Sequence, residues 1–262
     1  MRKLVEFPLA SRRRIGFVFV DVDDTLTTRG RLTGAAYAAL EKLQQSGRWV
    51  VPVTGRSAGW CDMIARFWPV DGVIGENGAF YFRHDREQRR LTRRFWDADD
   101  QRRAARRRLD RLAREVLAAV PGAALAADQP YRLADLAIDV AEDVAPLAPA
   151  AVDQILGLVA TAGAQARLSS AHVNIWFGEF DKLAMTRCLV AELYGINLDA
   201  RRDEVVFIGD SPNDEAMFGY FPHAVAVANI RDHLDRIATT PAYVTEAEAG
   251  AGFVELVDAL LA

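Results

Sequence analysis

Five aspartates fall into two tight groups, Asp21, Asp23 and Asp24 in the run Asp21-Val22-Asp23-Asp24-Thr25, and Asp210 and Asp214 in Gly209-Asp210-Ser211-Pro212-Asn213-Asp214. Carboxylates packed this closely repel one another and call for a cation. A hard divalent ion such as Mg²⁺ binds through one or two carboxylates, with water and a substrate phosphate filling its remaining positions. An EF-hand calcium loop is the other acidic pattern of this kind, but it spreads its ligands over twelve residues ending in glutamate, and that pattern is missing here. Each group directly follows a short apolar run, so if the two runs are neighbouring strands their ends form one acidic mouth.

The elements that must carry these groups follow a regular rhythm. Ile15–Val20 is rich in β-branched and aromatic residues, as a buried parallel strand is. Ala35–Gln45 reads as a helix closed by Gly47, and Trp49–Val53 as a second strand running into Thr54-Gly55-Arg56-Ser57. Val73-Ile74 leads into Glu76-Asn77-Gly78-Ala79, Val205–Ile208 into the second aspartate group, and Ala224–Ala228 adds a further apolar run. Strands separated by helices, each ending in polar residues, predict an α/β fold with a Rossmann-like doubly wound parallel sheet whose chemistry lies at the carboxyl edge. Between about Arg83 and Phe177 the rhythm breaks. Helices over Gln101–Val120 and Leu147–Ala162, a strand over Tyr131–Val140 and one or two strands over Gln165–Phe177 predict an inserted α/β domain. The expected division is a core of residues 1–82 and 178–262 and a cap of residues 83–177, with hinges near Arg83 and Gly178.

In order and context, these segments resemble the four short motifs of the haloacid dehalogenase superfamily. Asp21 and Asp23 match its DxDxT motif, and the resemblance implies that Asp21 attacks phosphorus to form an aspartyl-phosphate while Asp23 acts as general acid and then base. Thr54 matches the motif whose hydroxyl binds phosphate, with the Gly55 amide as a further donor. Lys182 matches the basic motif, where an ammonium offsets the repulsion between nucleophile and phosphate. Asp210 and Asp214 match the acidic motif, which implies Mg²⁺ held among Asp21, Asp23, Asp210 and Asp214, with Asp210 a direct ligand and Asp214 acting at one remove. Asn213 is placed to contact phosphate. An insertion between the second and third motifs resembles the branch with a large C2-type α/β cap, subfamily IIB, which includes Cof-like and sucrose-phosphatase-like enzymes. One departure is Asp24, where many relatives have glycine. The implied function is a Mg²⁺-dependent phosphatase for a small phosphorylated metabolite, a sugar phosphate in the first place. A phosphomutase or phosphotransferase on the same intermediate, or a non-enzymatic polyanion-binding protein of this fold, are the alternatives.

Along a strand at Ala171–Phe177, His172, Asn174 and Trp176 share one face and Val173, Ile175 and Phe177 the other. The first face is a candidate for reading the leaving group, together with Arg56 beside the phosphate-binding turn. From Arg83 to Arg114 thirteen arginines stand against six acidic residues, while the whole chain carries −4. No aromatic stacking platform accompanies these arginines, so a solvated cap surface is expected rather than nucleic-acid binding. Cys61 and Cys188 are too few for a disulfide framework and read as buried apolar fillers, which suits a reducing cytoplasm. Glu6 and Pro8 leave the N-terminal stretch without a signal-peptide core, and Val116–Ala127 is too short an uncharged run to cross a bilayer, so neither secretion nor a membrane partner is expected. Oligomeric state is not legible.

Overall fold

The structure is a computed structural model that describes residues 1–169 and 171–262. The chain opens with a short edge strand β1 (Arg2–Lys3) and helix α1 (Leu9–Arg12), then alternates β2 (Phe17–Val20), α2 (Gly34–Gln45), β3 (Trp49–Pro52), α3 (Ala58–Phe67) and β4 (Val73–Gly75). A hairpin follows, β5 (Phe80–Asp85) and β6 (Arg90–Phe95), and then α4 (Asp99–Ala119), β7 (Ala124–Leu125), β8 (Leu136–Asp139), α5 (Pro149–Thr161), β9 (Gln165–Leu168) and β10 (His172–Trp176). The chain returns through α6 (Lys182–Tyr194), β11 (Val205–Gly209), α7 (Glu215–Tyr220), β12 (Val225–Ala226), β13 (Tyr243–Val244) and α8 (Ala249–Leu261). Ser170, inside the expected Gln165–Phe177 strand region, lies outside the described residues.

Six strands form a parallel sheet in the order β1-β13-β12-β11-β2-β3. Alternation along β2 explains why both faces are covered. Val18 and Val20 pack with Leu40 of α2, Ile64 of α3 and Phe253 of α8, while Phe17 and Phe19 pack on the opposite face with Leu189 of α6 and Phe218 of α7. A strand buried on both faces reads as a continuous apolar run, which is how Phe17–Val20 and Val205–Gly209 look in the sequence. The register pairs Ile208 with Val20 and Val20 with Pro52, so the residues that follow these strands emerge at one level. This places both aspartate groups and Thr54 along a single sheet edge.

The cap has its own core. An antiparallel sheet in the order β7-β8-β10-β9 buries Ile138, Val173 and Ile175 against Leu109, Leu112 and Val116 of α4 and Ile155 and Val159 of α5. Arg83 lies in the middle of β5, whose hairpin is paired to β4, and β4 meets the core sheet through a parallel bridge between Val53 and Ile74. Phe80, Phe82 and Phe95 of the hairpin pack into the main core.

Two expectations need correction. The strand expected over Tyr131–Val140 is extended only at Leu136–Asp139, because Arg132 pairs with Asp128 and Asp135 at 2.9 Å each and folds the preceding segment into a turn. Cys188 is not a buried filler; it is half-buried and its thiol donates to Glu192 Oε1 at 3.3 Å. On α4, Arg102 and Arg108 lie 3.6 Å over the rings of Phe95 and Phe177, and Arg106 donates to the carbonyls of Arg132 and Asp135. Those arginines pack against rings and carbonyls of the protein rather than forming only a solvated face. No helix among the described residues is long and apolar enough to cross a membrane.

Candidate active site

The site begins with how the chain leaves β2 and β11. The Asp21 amide donates to the Ile208 carbonyl at 2.9 Å, which carries the strand pairing one step past β2 and sets Asp21 beside Asp210. Asp21, Asp210 and Asp214 are buried and offer oxygens within 4.8 Å of one another, the one such cluster among the described residues. Asp210 Oδ1 accepts from Thr25 Oγ1 at 3.1 Å, and its Oδ2 lies 3.4 Å from Asn229 Nδ2. Asp214 is committed within the protein: Oδ2 accepts the Asp210 amide at 3.1 Å and the Ser211 amide at 3.4 Å, and Oδ1 accepts from Lys182 at 2.8 Å. Asp21 and Asp210 line the cavity above the sheet edge, whereas Asp214 does not.

Lys182 reaches this cluster because α6 starts where it does. Asp181 caps the helix by accepting the Ala184 amide, and Gly78, at φ +105°, lets the loop after β4 lie against the Asp181 carbonyl where a Cβ would overlap it. Lys182 Nζ then sits 2.7 Å from Asp21 Oδ1. Burial works against the ammonium's charge, but Asp21 and Asp214 outweigh it and hold its pKa above the ordinary lysine value. Burial pushes Asp21 above the usual carboxylate range; Lys182 opposes this, and Asp214 and Asp23 add to it. Burial, then Asp21, Asp214 and Asp24, push Asp210 up in the same way. Three buried carboxylates against one ammonium leave an excess of negative charge, and a divalent cation at the cavity-lining carboxylates Asp21 and Asp210 fits that excess.

Asp23 does not join the cluster. Arg56 takes both its oxygens, with Nε 3.0 Å from each and Nη2 2.8 Å from Oδ1. Thr54 is fully buried and its Oγ1 accepts the Arg56 amide at 3.0 Å. A cavity of about 1300 Å³ opens above the sheet edge between core and cap, lined by Asp21, Asp23, Gly55, Arg56, Lys182 and Asp210 on the core side. His172, Asn174 and Trp176 line it from the cap, and their strand neighbours Val173 and Ile175 face the cap core.

Several residues of this neighbourhood carry no sign in the sequence beyond their turn context. Asn77, at φ +57°, accepts from Asn213 Nδ2 at 3.2 Å and packs against Gly55, while its own Nδ2 has no partner. Asn229 ties the Asp24 carbonyl, 3.0 Å away, to the side of Asp210. Glu76 is fully buried and accepts the amides of Leu133, Ala134 and Asp135 from the cap and of Ala58 from α3. Arg132 adds a bond to the Gly55 carbonyl at 3.0 Å. Glu76-Asn77-Gly78 was visible as a polar strand end, but its partners are far away in sequence.

Comparison with known proteins places this geometry in context. A family model described as haloacid dehalogenase-like hydrolase matches residues 18–103 and 165–255. Among the curated proteins compared, no relative matched. A Thermoplasma acidophilum structure is 20% identical with a TM-score of 0.72, covering 94% of this chain and 98% of its own. A HAD/COF-like hydrolase from Plasmodium vivax is 16% identical with a TM-score of 0.71, covering 97% and 99%. The sucrose-phosphatase of Synechocystis sp. PCC6803, solved with sucrose and phosphate, is 14% identical with a TM-score of 0.64, covering 95% and 98%.

Proposed function

The chain belongs to the haloacid dehalogenase-like hydrolases, and from that premise we propose that it is a Mg²⁺-dependent phosphatase hydrolysing a small phosphorylated metabolite, a sugar phosphate in the first place. The observation that carries the reading is Lys182 bonded to Asp21 within the buried Asp21–Asp210–Asp214 cluster at the floor of the cavity between core and cap. Asp21 attacks phosphorus and forms an aspartyl-phosphate, and Asp23 protonates the leaving oxygen and then takes a proton from the attacking water. Lys182 offsets the repulsion between Asp21 and the phosphate. Thr54, the Gly55 amide and Asn213 hold the phosphate oxygens. Asp21 and Asp210 would hold Mg²⁺, with Asp214 orienting Lys182 and the loop that carries Asp210; the bound ion supplies positive charge to the phosphoryl oxygens. The cap face of His172, Asn174 and Trp176, with Arg56 on the core side, contacts the leaving group. A sugar suits this face because its hydroxyls pair with side-chain donors and acceptors of this kind, and the sucrose-phosphatase likeness supports the same class.

We read the catalytic core as the segments on either side of an inserted cap, and the two unpaired cysteines as suited to the cytoplasm. Phosphate release from sugar phosphates, nucleotides and an aryl phosphate, with Mg²⁺ and with a chelator, tests the reading. Mg²⁺-dependent turnover concentrated on a sugar phosphate is expected; no turnover of any compound with any divalent metal would contradict it.

A further inference from the structure

Glu142 belongs to none of the motifs, yet it reaches from the cap to pair with Arg56 beside the site. It sits in the loop after β8, and Asp139 folds that loop by accepting the amides of Ala141, Glu142 and Asp143 at 3.0, 2.8 and 2.9 Å. The carboxylate thereby meets Arg56 from the side opposite Asp23, with Nη1 3.0 Å from Oε1 and 3.4 Å from Oε2. His172 Nε2 approaches Oε2 to 2.9 Å, out of line for a straight hydrogen bond. One planar guanidinium is thus gripped by two carboxylates, one from the core and one from the cap.

We propose that Glu142 is a positioning residue for the general acid and acts through Arg56. This rests on the phosphatase reading above. A guanidinium held on one side only can swing about the long arginine stem, whereas one held on both sides has a fixed plane. Because Arg56 bonds both oxygens of Asp23, that plane sets how the Asp23 carboxyl is turned. In the first chemical step the bond from phosphorus to the leaving oxygen breaks as the bond to Asp21 forms. The electron pair stays on the leaving oxygen, and the proton moves to it from Asp23. Misdirecting Asp23 therefore harms departure of a poor leaving group and spares a good one. The pairing with Glu142 exists only when the cap is seated, so cap seating and acid alignment become one event.

The test compares an alkyl phosphate, whose leaving oxygen needs protonation, with 4-nitrophenyl phosphate, whose leaving group departs without it. In Glu142→Ala, kcat/KM, which reports the steps through aspartyl-phosphate formation and not the water step that both substrates share, is expected to fall about 10- to 100-fold on the alkyl phosphate and less than about 3-fold on the aryl ester. Glu142→Gln provides the same comparison should the alanine variant fail to fold. Arg56→Ala combined with Glu142→Ala is expected to lose no more than Arg56→Ala alone, since both act through one contact. Equal losses of kcat/KM on the two substrates, or additive losses in the double variant, would each overturn the proposal. Wild type without any Asp21-dependent turnover would instead remove the phosphatase reading beneath it.

Discussion

Lys182 holds two buried carboxylates, and removing its charge leaves both uncompensated. Lys182→Ala is expected to cost about 3–5 kcal/mol in chemical denaturation, the range for breaking a buried ion pair from one side, as well as abolishing turnover. Asp23 is different because its carboxyl faces the cavity and Arg56. Asp23→Asn should fold normally and lose about 10²- to 10⁴-fold in kcat on alkyl phosphates, the range for general acid–base catalysis; hydrolysis at the wild-type rate would sink the assignment. Glu142 carries a pH signature. The approach of His172, opposed by partial burial and reinforced by Arg56, lowers its pKa from 4.5 to about 2. A carboxylate whose folded pKa lies below its unfolded value adds stability that is present above the unfolded pKa and lost as pH falls through the folded one. The stability gap between wild type and Glu142→Gln should therefore shrink as pH falls from about 4.5 toward 2. Solvent reaches this carboxylate, so the gap is of the order of 1 kcal/mol. A gap that widened in acid would contradict the pairing.

At the scale of elements, the N-terminus of α6 and the loop after β4 are fitted to each other at Gly78. Gly78→Ala forces a Cβ into the Asp181 carbonyl at a left-handed backbone position. We expect a loss of about 2–4 kcal/mol and, because Lys182 is the next residue, a fall in activity among the molecules that stay folded. Thermal melts alongside activity measurements check both. The strands and helices that carry the motifs were legible because a strand buried on both faces is an unbroken apolar run, and Phe17–Val20 and Val205–Gly209 are such runs. The turn at Arg132–Asp135 was not. Its residues alternate like a strand, and the turn is held both by the Arg132 pairs with Asp128 and Asp135 and by Glu76, fifty-seven or more positions from the amides it accepts. Of the candidate site, Asp21, Lys182, Asp210 and Asp214 were readable from type and order and do meet in space. The engagement of Asp23 by Arg56 and the part played by Glu142 were hidden, because an ion pair spanning eighty-six residues between core and cap leaves no local pattern.

For the whole molecule, the acidic cluster and its loops join strands from both halves of the chain, so a cation there is a ligand of the folded state alone. Mg²⁺ should raise the melting temperature in a concentration-dependent way, adding about 2.7 kcal/mol of stability at one hundred times its dissociation constant. Asp210→Asn should lose most of that response while remaining folded, and an equal response in both proteins would place the ion elsewhere. The cap closes over the same cluster through Glu76 and Arg132 at one joint and Glu142 and Arg56 at another. The measurement that bears most directly on the account is phosphate release by wild type and Asp21→Asn with Mg²⁺, paired with mass spectrometry of the acid-quenched wild-type reaction. The account predicts release in wild type only and a phosphoryl adduct on Asp21. Release undiminished in Asp21→Asn, with no adduct on Asp21, would contradict it.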